Sequence, residues 1–170
     1  MKNSILAIVA LSVVGCSAKY NVNNIEEKTE LLMKDTPVSI SVPANGMYGN
    51  QTYTGSGKAT AMAIREAFSH YTDNVNIFYD CGDLSCLNAN HKIDHGYYVV
   101  PQILHWEDRA TEWSGLPDRI TIKIVIYSAE SNRRVAATMI SGKSKWATFG
   151  GDHPQDLLAE PVNSYVAGLY

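Results

Sequence analysis

The densest run of reactive side chains is "HWEDRATEWSG", residues 105–115. It holds the carboxylates Glu107, Asp108 and Glu112, together with Arg109 and the tryptophans Trp106 and Trp113. Two carboxylates can hydrolyse a glycosidic bond, one protonating the leaving oxygen and the other serving as base or nucleophile. That chemistry needs a carboxyl of raised pKa inside a cleft, which a short hairpin loop rarely supplies. Tryptophan and arginine are also the residue types that anchor protein interfaces. The run therefore supports a contact surface of Trp106, Arg109 and Trp113, joined by Tyr48 and Tyr53 from the loop over residues 44–57. A glycan hydrolase using Glu107 or Glu112 is the catalytic alternative. A purely structural role stands beside both: Arg109 pairs with a neighbouring carboxylate and the tryptophans, with Trp146, cover the sheet end.

Other candidate chemistries are weaker. His91 and His95 stand four apart in a predicted helix, a spacing that can grip a metal. Lys92 follows His91 where a zinc protease would place glutamate, so two ordinary polar helix residues are the favoured reading over a small-ligand or metal binder. "GSGKAT", residues 55–60, is not a phosphate loop. Thr52 replaces its first glycine and Ala59 the hydroxyl residue that would hold magnesium. There is no Gly-x-Ser-x-Gly elbow, no cofactor motif and no cysteine in the setting of a nucleophile. No cofactor or metal is expected, and the chain reads as a non-enzyme.

The three cysteines divide by context. Lys2 is the only charge in the first fifteen residues, and Ile5 to Val14 is almost wholly apolar. Such a run is short of the roughly 20 residues that span a bilayer and fits the core of a secretory signal. A buried N-terminal helix would instead be apolar on one stripe. The run ends in Val13-Val14-Gly15-Cys16, which resembles a bacterial lipobox. The resemblance implies cleavage before Cys16 and acylation of its sulfur and amine. Several acyl chains anchor firmly, each buried CH2 contributing about 0.8 kcal/mol. Ser17 follows, not the Asp linked to inner-membrane retention, so the periplasmic face of a Gram-negative outer membrane is the expected location. In that oxidising compartment, Cys81 and Cys86 are expected to pair; two thiols or metal ligands are the alternatives.

The elements that must position these residues follow from periodicity. Residues 1–15 read as the cleaved signal, 16–36 as the lipidated cysteine and a polar tether, and 37–170 as one periplasmic domain. Within the tether a short helix over Ile25 to Met33 is possible. The tract Val38–Val42 alternates as a strand, and Pro43 ends it before the loop. Ala61, Ile64, Phe68 and Tyr71 form one face of an amphipathic helix. Val75–Tyr79 is a strand. Asp83 caps a helix reaching about Asp94. Tyr97–Trp106 is a central strand, with Pro101 marking a bulge or an unpaired side. Ile120, Ile122, Ile124 and Ile126 share one face of a strand opposite Thr121, Lys123, Val125 and Tyr127, and "RVAATMIS" forms the next. Leu158, Val162, Tyr165 and Leu169 stripe a final helix that Pro161 must kink or split. The order β-α-β-α-β-β-β-α gives an α+β (α/β-like) domain. Its single mixed sheet of about five strands is parallel early and antiparallel late, with helices mainly on one face. With a net charge of -3 there is no basic footprint for nucleic acid.

The segments "VSISVPANGMYGNQTYTGSG", "YYVVPQILHWEDRATEWSGLPDRITIKI" and "TFGGDHPQDLL" resemble an uncharacterised bacterial lipoprotein family, a domain of unknown function. The resemblance spans nearly all of residues 37–170 and the lipobox; it implies no assigned activity and no catalytic residues. More distantly, the element order is similar to a periplasmic α/β domain of envelope lipoproteins. These include the activator of a penicillin-binding protein, the curli secretion lipoprotein and the N-terminal domain of the Tol system's propeller protein. That likeness implies a module that binds an envelope protein and reaches the membrane through its acyl chains, with its oligomeric state open.

Overall fold

The computed structural model describes residues 18–109, 115–144 and 153–170. Strands β1 (Lys19–Glu26), β2 (Val38–Ser41), β5 (Val75–Phe78), β6 (Tyr97–Glu107), β7 (Arg119–Ser128) and β8 (Arg134–Lys143) form one six-stranded sheet in the order β1-β8-β7-β6-β2-β5. A two-residue-per-strand hairpin, β3 (Met47–Tyr48) and β4 (Gln51–Thr52), sits in the loop after β2. Among the described residues the α-helices are α1 (Ser56–Ser69), α2 (Leu84–Asn90) and α3 (Ala159–Ala167). β2 pairs parallel with both β5 and β6, while β6, β7, β8 and β1 run antiparallel. The mixed sheet and its parallel-then-antiparallel order agree with the sequence pattern.

Two details differ from it. The sheet has six strands because residues 19–26, read as tether, form β1 along the edge of β8. Polar alternation hid it: an edge strand with one open face needs few apolar residues. The backbone ladder supplies its hold, and the Glu26–Arg134 ion pair fastens its far end. The chain then runs on as irregular backbone instead of a helix over Ile25–Met33.

The second detail is which helix leaves the main face. α1 and α3 cover the first face, where Ile64, Phe68, Val162 and Val166 pack on Ile40, Val99 and the isoleucines of β7. The alternation read in β7 places Ile120, Ile122, Ile124 and Ile126 in this core at 0–1% exposure. α2 lies instead on the second face. Its Leu87 packs with Tyr98, Val100, Cys81 and Ala129, a separate cluster. Successive residues of β6 thus serve two cores, because side chains alternate across a strand.

The ends of the helices follow local chemistry. The Asp83 carboxylate accepts the Cys86 amide at 2.8 Å and caps α2, which stops at Asn90, four residues short of the predicted end. Pro161 divides the last helical stretch: a 3-10 turn over Pro154–Leu157 precedes α3, and Pro161 falls in α3's first turn, where no amide hydrogen is needed. Gly96 turns the chain into β6 with φ of 95°, and a Cβ there would lie 2.2 Å from the Pro37 carbonyl oxygen. That carbonyl accepts the Tyr97 amide at 2.9 Å, so it cannot give way without losing the bond. Gly96→Ala should therefore lower stability by at least about 1–3 kcal/mol, the ordinary penalty for such strain; the midpoint of urea unfolding reads it.

Candidate functional site

The site begins with a one-residue irregularity in β6. Ile103 pairs with Ile122, but His105 pairs with Thr121, leaving Leu104 as an extra residue. A bulge reverses which face each later side chain takes. Trp106 therefore turns into the first-face core at 3% exposure, and His105 and Glu107 turn to the second face. Trp106 is not a surface residue: its Cβ occupies the place a Cβ on Gly46 would need, 2.4 Å away. Pro101 precedes the bulge. It stands beyond the last parallel pair, Ile40 with Val99, where β6 has no β2 neighbour.

Around Glu107 the side chains close into a cluster. Its carboxylate accepts a hydrogen bond from Arg109 Nε and lies 3.1 Å from His105 Nε2. Arg109 Nη2 donates to the Tyr48 hydroxyl at 2.8 Å, and its guanidinium stands 5.3 Å from the centre of the Tyr48 ring. Tyr48 in turn meets His105 edge-to-face at 5.4 Å. The Arg109 amide donates to Asp118 Oδ1 at 2.6 Å, and the Asp118 backbone is tied to Ser144 in both directions. Burial would raise the Glu107 pKa; the hydrogen bonds from His105 and Arg109, with the Arg109 charge, outweigh it, and the net shift is downward. A glycosidase acid requires the opposite shift. Arg109 is shifted up, held protonated chiefly by its hydrogen bond to Glu107.

The cluster brings together Tyr48, Glu107 and Arg109 from the sequence candidates, and Tyr53 lies beside it, its hydroxyl 3.5 Å from the Asp108 carbonyl. Tyr53, Trp106 and Asp108 line an open cleft of about 610 Å³ next to the start of α1. Cys16, Glu112, Trp113 and Trp146 lie outside the described residues. Sequence reasoning did not join His105 to Glu107, and it missed Asp118. His105 stood two residues from Glu107 in a strand, the spacing that puts both on one face, and that spacing was the available signal. The start of α1 is occupied by the chain itself: Asn45 Oδ1 accepts the amides of Gly55 and Gly57, and Ser56 Oγ accepts that of Gly46.

On the α2 side, a disulfide joins Cys81 to Cys86, with Cα atoms 5.3 Å apart. His91 ends α2 instead of standing on its face, stacks on Phe78 at 3.8 Å and bonds Asp80 at 2.9 Å. The Asp80 pKa is lowered by that hydrogen bond. His95 is exposed in the turn before β6 and does not join His91. Asp80, Cys81 and His91 come within 4.8 Å of one another, but the Cys81 sulfur is committed to the disulfide and offers no thiolate.

The folded Glu107 carboxyl titrates below its ordinary value of 4.5. An unfolded chain thus takes up the proton first, and the stability contributed by this group is present above pH 4.5 and lost as pH falls through the folded value. Glu107→Gln should remove about 2 kcal/mol at neutral pH and flatten the acid limb, as read by urea unfolding across a pH series.

No curated protein sequence is significantly similar to this chain. Among solved structures the fold resembles the PelC dodecamer from Paraburkholderia phytofirmans, with a TM-score of 0.61 at 11% identity over 89% of this chain and 94% of that one. It also resembles a DUF330-family protein from Xanthomonas campestris, with a TM-score of 0.52 at 11% identity over 85% of this chain and 90% of that one. A lipoprotein from Neisseria meningitidis aligns at 13% identity over 78% of this chain and 99% of that one, with a TM-score of 0.43 that carries no argument. A family model described as a domain of unknown function, DUF4823, matches residues 30–169, and the chain belongs to that family.

Proposed function

We propose that this protein is a lipid-anchored, non-catalytic module of the bacterial envelope whose Tyr48–Arg109 surface binds an envelope protein. The observation behind the reading is the Glu107 cluster. It holds an aromatic ring and a guanidinium in one fixed arrangement, with Tyr48 42% exposed and Arg109 fastened through Glu107 and Asp118. Ordering such side chains before binding reduces the entropy lost on association. Met47 and Leu104, both at least half exposed, add apolar area on the neighbouring strands β3 and β6. The downward shift at Glu107 speaks against an acid role for that residue. The lipobox-like Val13-Val14-Gly15-Cys16 supports the anchor and, with it, the location.

A second reading is self-assembly, favoured by the dodecameric state of the Paraburkholderia protein with this fold. Two experiments separate these ideas. Intact-mass measurement of the membrane-extracted chain should show a chain beginning at Cys16 with acyl groups; a chain beginning at Met1 with free cysteine overturns the anchor. Capture from crosslinked envelopes should recover a partner whose yield falls at least tenfold with Tyr48→Ala, Arg109→Ala or Trp113→Ala. Recovery that ignores all three substitutions overturns the surface, and recovery of the chain itself alone favours self-assembly.

A further inference from the structure

The open half of the second face carries a ladder of cations. Lys19 of β1 pairs in register with Lys143 of β8, and Lys143 pairs with Arg119 of β7. All three are exposed. The same face continues through Asn21, Ser141, Thr121 and His105, and then to Lys123. A shallow groove of about 510 Å³ runs between the two rows. Among the described residues none of these four cations has an ion-pair partner. Glu107 stands opposite Arg119 in register, yet its carboxylate is taken by His105 and Arg109. Like charges directly opposite each other across strands destabilise a sheet. Here two such pairs follow one another in a chain whose net charge is -3, with no ion pair to offset them among the described residues.

We infer that this ladder seats the domain on anionic phospholipid headgroups. The inference rests on the anchor proposed above. Lys19 is the third residue after Cys16, and an extended chain spans at most about 3.6 Å per residue. An acylated Cys16 would therefore hold Lys19 within about 11 Å of the bilayer surface, close to the screening length of about 8 Å at physiological salt, with Lys143 and Arg119 one and two strand spacings of about 4.8 Å along the row. Phosphate oxygens complement lysine and arginine, and the hydroxyls of Thr121 and Ser141, 3.1 Å apart, add neutral donors in the groove. Residues 19–26 then act as a seat for the domain.

The full chain, purified from membranes, is reconstituted into vesicles of phosphatidylcholine alone or mixed with phosphatidylglycerol. Amine-reactive labelling is followed by mass spectrometry at each lysine. Lys19 and Lys143 should label several-fold more slowly on the phosphatidylglycerol vesicles, with Lys34 and Lys92, at the opposite end of the sheet, unchanged; high salt should erase the difference. Lys143→Gln should restore Lys19 labelling. Equal rates on both vesicles overturn the inference. Protection in native envelopes without protection on phosphatidylglycerol identifies an acidic protein and overturns the lipid assignment. The intact mass of the same sample reports the anchor separately. If it is unacylated, salt-sensitive cosedimentation of the chain with phosphatidylglycerol vesicles still supports the ladder, and its absence overturns it.

Discussion

A single extra residue, Leu104, decides which side chains of β6 enter the core and which enter the second face. Before it, Tyr97 and Val99 belong to the first core while Tyr98 and Val100 belong to the second. Without the bulge the alternation would run on unbroken, and Glu107 would point at the isoleucines of β7 while Trp106 pointed into water. Burying an unpaired carboxylate among apolar side chains is far more costly than one unpaired ladder residue. The bulge therefore lets one strand change its chemistry midway. Its first half is apolar on both sides; its second half is apolar on one side and ionic on the other.

The division of the second face follows. α2 is short and covers only the end where Tyr98 and Val100 lie, and the disulfide between Cys81 and Cys86 closes the small loop that leads into it. Toward the other end no helix of the described residues covers the strands, and the side chains there are Gln102, Lys123, Thr121, Ser141, Arg119 and Lys143. An antiparallel half-sheet tolerates this exposure because only one of its faces must be dry. The fold thereby keeps a broad polar surface next to a packed one without needing a second domain.

Much of this was legible in the sequence because periodicity reports burial. The isoleucines at every second position of β7, the Ala61–Ile64–Phe68 stripe and the Asp83 cap each state their environment directly. The parallel-then-antiparallel order followed from where helices intervene. What the residues did not reveal has physical causes. β1 is an edge strand held by backbone bonds, and backbone bonds leave no mark on residue type. Trp106 looked like a surface anchor because tryptophan occurs in both settings, and its side depends on a bulge three residues after Pro101, where proline chemistry had pointed. His91 and His95 fell apart because α2 ended early, which broke the shared face their spacing required. The Glu107 cluster was half visible: its residue types were plain, while its closure through Tyr48 joins residues 61 positions apart.

β1 has a consequence for the order of events in folding. Its partner β8 lies more than a hundred residues later in the chain, as the hydrogen bond from Thr138 to the Asn23 carbonyl shows with a separation of 115. Contacts that close such long loops form slowly. Pairing β1 with β8 therefore carries the longest loop closure in the sheet. Until it forms, the outer edge of β8 has no partner. Once it forms, residues 19–26 are held in the ladder and cover that edge.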